Sequence, residues 1–88
     1  MTTQTVKIMN KIGLHARPAS MLVNTAGKFE SDIKIKNGDR CATATSMINL
    51  LTLRAKMNDN ITIEASGEDE KEAVKALADL INSKFGEE

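Results

Sequence analysis

Three stretches of the chain alternate apolar and polar residues, and three others carry apolar residues at helical spacing. Thr5-Val6-Lys7-Ile8-Met9 alternates and is rich in β-branched residues, which predicts a strand. Asp32-Ile33-Lys34-Ile35-Lys36 alternates strictly, as a strand with one wet face does. Ile61-Thr62-Ile63-Glu64-Ala65 repeats that pattern after a turn at Asn58-Asp59-Asn60. Asn37-Gly38 is a hairpin signal, so Arg40 to Ala44 reads as the returning strand. From Ala16 to about Lys28, the apolar positions Ala19, Leu22, Val23 and Ala26 recur with the period of a helix. Pro18 suits its first turn, where a missing N–H costs nothing, and Gly27 suits its C-terminal end. Ser46 to Leu53 predicts a second helix with Ser46 as its N-cap. The last helix runs from about Glu70 to Phe85, with a stripe of Ala73, Val74, Leu77, Ala78, Leu80, Ile81 and Phe85. Glu68-Asp69-Glu70 places favourable negative charge at its start, and Glu87-Glu88 reads as a frayed tail. The order β-α-β-β-α-β-α predicts an α+β open-faced β-sandwich, a four-stranded antiparallel sheet covered on one face by three helices.

Size and composition narrow the function classes. A chain of 88 residues argues for one domain, residues 1–88, and buries only roughly 60% of its unfolded surface. Its 12 basic and 12 acidic residues leave no net field to draw in nucleic acid or an anionic membrane. Phe29 and Phe85 are the only aromatic residues, which disfavours a base-stacking platform. No apolar span is long enough for membrane insertion, and Met1-Thr2-Thr3-Gln4 lacks the pattern of a signal peptide. Cys41, the single cysteine, forms no internal disulfide and reads as a small core or edge residue on its strand. A reducing, cytoplasmic location follows as the expectation, and a monomer with it.

The chemistry concentrates in Gly13-Leu14-His15-Ala16-Arg17-Pro18-Ala19, which holds the only histidine and the only proline. A lone histidine is ordinarily a surface or satisfied core residue. Metal ligation has little support, because no second histidine and no cysteine or carboxylate stands nearby at ligand spacing. Ser20 and Ser46 lack the elbow motif of a serine hydrolase. The context of His15 is more informative. It precedes the helix that Pro18 opens, and the first N–H groups of a helix have no internal partner and carry partial positive charge. The N–H groups around Ala16, Arg17 and Pro18 therefore make a place for an anion. Arg17 adds a planar guanidinium suited to phosphate oxygens, and Gly13 lets the backbone turn with no Cβ in the way. Free imidazole titrates near ~6.5, so a neutral nucleophilic form exists at cell pH. These features point to reversible phosphoryl transfer through His15.

The same heptapeptide resembles the active-site signature of HPr, the histidine-containing phosphocarrier of the bacterial sugar phosphotransferase system. The length, the element order and Ser66-Gly67-Glu68-Asp69-Glu70 also match, so the resemblance covers nearly the whole chain. It implies that His15 is phosphorylated on Nδ1 by Enzyme I, which draws on phosphoenolpyruvate, and that the group passes to the IIA domain of a sugar transporter. It implies that Arg17 stabilises the phosphate, and that the chain is a carrier with no resident cofactor and no turnover of its own.

A second resemblance concerns Thr45-Ser46-Met47. Helix capping explains Ser46 by itself, at about 1 kcal/mol. In Gram-positive members of the family an HPr kinase phosphorylates the serine at this place, which implies a regulatory site at Ser46. The run Met47, Ile48, Leu50, Leu51, Leu53 is too apolar all round for a short surface helix. Leu50 and Leu53 are assigned to core, and Met47, Ile48 and Leu51 to partner docking, with Ser20 and Met21 bordering the same surface. The sequence departs from the family where Arg54 replaces a common glycine, and Ser46-Met47-Ile48-Asn49-Leu50-Leu51 drifts toward NPr, the nitrogen-related paralogue. Three readings follow: a sugar-branch carrier, an NPr-type carrier, and a regulatory docking module.

Overall fold

The computed structural model describes residues 1–86; the tail expected at Glu87-Glu88 lies outside the described residues. Strands β1 (Thr2–Lys7), β2 (Asp32–Asn37), β3 (Arg40–Thr43) and β4 (Asn60–Ser66) form one sheet in the order β1-β4-β2-β3. Every neighbouring pair is antiparallel. Helices α1 (Ala16–Ala26), α2 (Met47–Thr52) and α3 (Glu70–Asn82) complete the predicted order.

Alternation along the strands decides which face is covered. Ile33, Ile35, Ile61, Ile63 and Ala65 are buried, whereas Lys34, Lys36 and Thr43 stay on the open face. Lys36 pairs there with Glu64 at 2.9 Å, and the Glu64 contact raises the lysine pKa. The covered face meets Ala19, Leu22 and Ala26 of α1, Leu50 of α2, and Ala73, Val74, Leu77, Ala78 and Ile81 of α3. A helix of six residues has little stability of its own, and burial of Leu50 and Leu53 at about 1.5–3 kcal/mol each holds α2 in place.

The element boundaries depart from expectation: β4 starts at Asn60, inside the expected turn, and runs on to Ser66, β2 extends to Asn37, α2 covers Met47–Thr52, and other ends shift as well. β1 begins at Thr2 and ends at Lys7, because an edge strand can be built by backbone pairing alone; polar Thr2, Thr3 and Gln4 pair with Ala65, Glu64 and Ile63. Ile8 continues the pairing into a turn, donating to the Asp59 carbonyl and accepting from the Asn58 N–H. α1 stops at Ala26, and Gly27 caps it in the right-handed region at φ −65°, so the freedom of glycine is not used. The two turn residues of the hairpin are Gly38 and Asp39, since Asn37 still pairs with Arg40. β3 ends at Thr43, although Ala44 donates one further bond to the Ile33 carbonyl. α3 ends at Asn82, where the Ser83 hydroxyl bonds the Leu80 carbonyl; Lys84 and Phe85 then adopt φ of 59° and 54°. Phe85 thus reaches the core through a reversal of the chain, not by continued helix. Leu80 is only partly buried at the margin of the stripe.

Candidate functional site

The segment before α1 is held from both sides. Asn10 is buried, and its side-chain N–H donates to the Gly13 carbonyl at 2.7 Å while the Gly13 N–H returns a bond to the Asn10 carbonyl at 3.2 Å. Gly13 sits at φ +82°, and a Cβ there would lie 2.6 Å from the Lys56 Cα and 2.7 Å from the Ala55 carbonyl oxygen. The next N–H, from buried Leu14, donates to the same Ala55 oxygen at 2.9 Å. The backbone after α2 therefore clamps the loop one residue before His15.

His15 is the N-cap residue of α1, with extended backbone angles of −111° and −167°, and it is half-buried. Its carbonyl accepts from the Ala19 N–H at 2.9 Å, but its side chain does not cap the helix. Ala16 and Arg17 follow as the first two helical residues, both exposed, with N–H groups that lie ahead of any intrahelical acceptor. Pro18 is buried and has no N–H to give, so it fixes the first turn and binds nothing. No acidic residue stands in that turn, and no ion pair among the described residues engages Arg17. Backbone donors, a cationic residue and an imidazole residue thus share one helix start whose first turn contains no acidic residue. Such an arrangement can receive a phosphate.

The second predicted cluster lies on α2, which packs against α1. Ser46 is the N-cap, its Oγ accepting from the Asn49 N–H at 3.3 Å. Met47 is 36% exposed, Ile48 76% and Leu51 38%, whereas Leu50 and Leu53 are buried to within 1%. Ser20 and Met21 are half-buried on α1; Met21 packs against the core, so part of its surface is spent there. Cys41 is exposed on β3 at the sheet edge, so of core and edge it is the edge. Among the described residues no group of three His, Cys, Asp or Glu is placed to hold a metal ion, and no helix is long and apolar enough to cross a membrane.

Sequence patterning gave no sign of two contributors. Asn10 looks like any polar loop residue, and only the fold turns its amide inward. Ile12, 70% exposed in the same loop, adds apolar surface that no periodicity signals. Arg54, which stands where the family commonly has glycine, follows the C-cap of α2 with φ 51°, the left-handed conformation such a glycine would favour.

The family described as "PTS HPr component phosphorylation site" matches residues 2–83. The phosphocarrier protein HPr of Neisseria meningitidis serogroup A is 40% identical over 87 residues, covering 99% of this chain and 98% of its own. The phosphocarrier protein NPr of Shewanella violacea is 40% identical over 82 residues, covering 93% and 90%. HPr of Thermoanaerobacter tengcongensis superposes with a TM-score of 0.95 at 45% identity, covering 100% of this chain and 99% of that one. A second structure of that protein, a dimer, superposes at 0.79 and covers 99% and 100%. With the signature heptapeptide at the start of α1, the chain belongs to the HPr family of phosphocarrier proteins of the phosphotransferase system.

Proposed function

We propose that this chain carries a phosphoryl group on His15, taking it from phosphorylated Enzyme I and passing it to a IIA domain. The Nδ1 lone pair attacks phosphorus while the donor's bond to phosphorus breaks, and the reverse exchange on the acceptor restores the imidazole. The incoming group brings a charge of about −2. The observation that carries the reading is the start of α1, where His15 is the N-cap, Ala16 and Arg17 are the first two helical residues with N–H groups lacking intrahelical acceptors, and the turn has no acidic residue. These groups offset the new charge without locking it in place, as a carrier requires. The chemistry of release belongs to the partner, so the chain is a co-substrate and not a turnover enzyme.

Docking falls to the exposed apolar residues Met47, Ile48 and Leu51 with Ser20 and Met21 at their border, since exposed apolar patches mark partner surfaces. A phosphate on Ser46, placed by an HPr kinase, adds negative charge to this surface and slows uptake at His15. The chain works in the cytoplasm as a monomer.

The test is direct. Incubated with Enzyme I and phosphoenolpyruvate, the protein takes up an acid-labile, base-stable phosphate, and His15→Ala takes up none. Absence of label on the wild-type chain would defeat the proposal. Label that never moves to any IIA domain would leave a regulatory docking module. The NPr-type reading, favoured by the Shewanella violacea relative, keeps the His15 chemistry and differs in acceptor. Presenting sugar-branch and nitrogen-branch IIA domains in parallel separates the two by transfer rate.

A further inference from the structure

Resting on that reading, we propose that Asn10 is a positioning residue for phosphoryl transfer: its buried amide fixes the peptide unit that sets the backbone of His15. That unit is the peptide between Gly13 and Leu14. Its oxygen accepts from Asn10 Nδ2 at 2.7 Å and from the His15 N–H at 3.2 Å. Its N–H, on Leu14, donates to the Ala55 carbonyl at 2.9 Å. Of these three bonds the one from Asn10 is the shortest and comes from a side chain. The Gly13 N–H also donates to the Asn10 carbonyl at 3.2 Å, so Asn10 grips Gly13 at both its N–H and its oxygen. Asn10 is 0% exposed, so little water competes for these bonds.

Gly13 is where such a grip has most effect. Glycine at φ +82° restrains the peptide after it less than any other residue does, so bonds at both edges of that peptide settle its orientation. The result passes directly to His15. Its N–H is held by the Gly13 oxygen and its carbonyl by the Ala19 N–H at 2.9 Å, so the direction of its Cα–Cβ bond is set from both sides. Because Gly13 engages the His15 N–H, the backbone donors for an incoming phosphate are those of Ala16 and Arg17. Asn10 touches neither phosphorus nor the ring in this role; it acts through the Gly13 oxygen. Transfer rates are sensitive to such placement, since a shift of about 1 Å in a reacting group can cost on the order of a hundredfold.

The plain alternative is that Asn10 only satisfies a buried carbonyl and steadies the loop. The two accounts part in Asn10→Ala, and in the milder Asn10→Ser, whose shorter hydroxyl does not span to the Gly13 oxygen and which serves if the alanine variant does not fold. Phosphoryl uptake from Enzyme I is measured well below Tm at varied concentrations of this protein. For a positioning residue, kcat falls about tenfold and KM stays within about twofold, because the lost contact counts in the transition state and not in docking. Hydrogen exchange at the Leu14 and His15 amides quickens about tenfold relative to amides of β4. Val74→Ala, a core truncation on α3, lowers Tm and leaves kcat and KM as in the wild type. If wild-type protein is phosphorylated and kcat is unchanged in the folded Asn10 variant, Asn10 serves stability alone and the inference fails while the carrier function stands. A rise in KM at constant kcat would overturn it too, as would an equal fall of kcat in Val74→Ala. A fall in kcat without faster exchange at Leu14 and His15 would remove the route through Gly13. If wild-type protein takes no phosphate at all, the carrier reading is lost and this inference goes with it.

Discussion

The starts of α1 and α3 face the same physical problem and resolve it in opposite ways. Both follow a glycine jammed against a neighbour. A Cβ on Gly13 would meet the Lys56 Cα at 2.6 Å, and one on Gly67, at φ +155°, would meet the Ser31 Oγ and Cα at 2.6 and 2.7 Å. Beyond that point they diverge. At α3, Asp69 accepts from the Glu30 N–H at 2.8 Å, the Ser31 N–H at 3.0 Å and the Ser31 hydroxyl at 2.5 Å. Glu70 reaches back to the Gly67 N–H at 3.2 Å, and its other oxygen meets the Thr2 hydroxyl at 2.5 Å and the Met1 ammonium at 3.1 Å. Glu70 and Glu72 give the first turn its negative charge. Neither N-cap side chain bonds its own helix, but the first turn of α1 has no acid and carries an arginine. The carboxylates at the start of α3 tie it to the rest of the chain, whereas the first turn of α1 brings a cation and no acid.

The largest expected effect comes from the shared glycine. Gly13→Ala and Gly67→Ala should each cost roughly 2–4 kcal/mol, since both positions combine a disfavoured φ with an overlap on backbone atoms. Thermal unfolding reads both. Only Gly13→Ala should also slow phosphoryl uptake after correction for the unfolded fraction, because only it displaces the loop before His15. Equal uptake by the two variants would remove the distinction between the helix ends.

Next comes a transplant. Ala16→Asp gives α1 the acidic first turn that α3 already has. The helix should gain about 0.3–1 kcal/mol from its dipole. Phosphoryl uptake should fall at least about tenfold, because the carboxylate occupies the anion site and repels the incoming group. Stability and uptake moving in opposite directions would sharpen the comparison; uptake unchanged by the new charge would break it. Ser46→Ala tests the third helix end, where a hydroxyl caps the Asn49 N–H. Its expected cost is about 1 kcal/mol, with uptake at His15 little changed.

Legibility in the sequence followed the range of the interactions. Leu50 and Leu53 were separable from Met47, Ile48 and Leu51 because helix period and amphipathicity are local, and the burial pattern agrees. The placement of Gly13, His15 and Arg17 at a helix start was legible because a helix N-terminus, its proline and the glycine before it lie within a few residues. Asp69 reads as helix-start charge, yet its three bonds reach back to Glu30 and Ser31. Nothing near Asp69 in the chain indicates that partner. β1 was shifted for the same reason, since Thr2 and Thr3 become strand only through pairing with β4. Phe85 matched the helical stripe and is buried, but the chain reverses to bring it there. Burial was readable at that position and path was not.

The smallest effect concerns acid. The Thr2 hydroxyl, the Met1 ammonium and the Gly67 N–H pull Glu70 from an ordinary 4.5 down to about 2. The Ser31 hydroxyl and the Glu30 N–H lower Asp69 as well. A carboxyl with a depressed pKa in the folded chain stabilises fully above its unfolded value, where both states are ionised. As pH falls below about 4.5 the unfolded chain binds the proton first, and the stabilisation drains away until the folded group protonates near 2. Wild-type Tm should therefore decline across that window. Glu70→Gln has no such proton to bind, so its Tm should start lower near neutral pH and fall less steeply between pH 4.5 and 2. A curve parallel to wild type through the window would mean that ionised Glu70 does not tie the start of α3 to Thr2, Met1 and Gly67. Ala16→Asp, measured beside it, asks the matching question of α1: whether a carboxylate there, with no hydroxyl or ammonium arranged to receive it, gains a comparable acid dependence. The comparison predicts that it gains less, because the start of α1 supplies only helix amides and Arg17, whereas α3 offers its carboxylate a hydroxyl and an ammonium already in place.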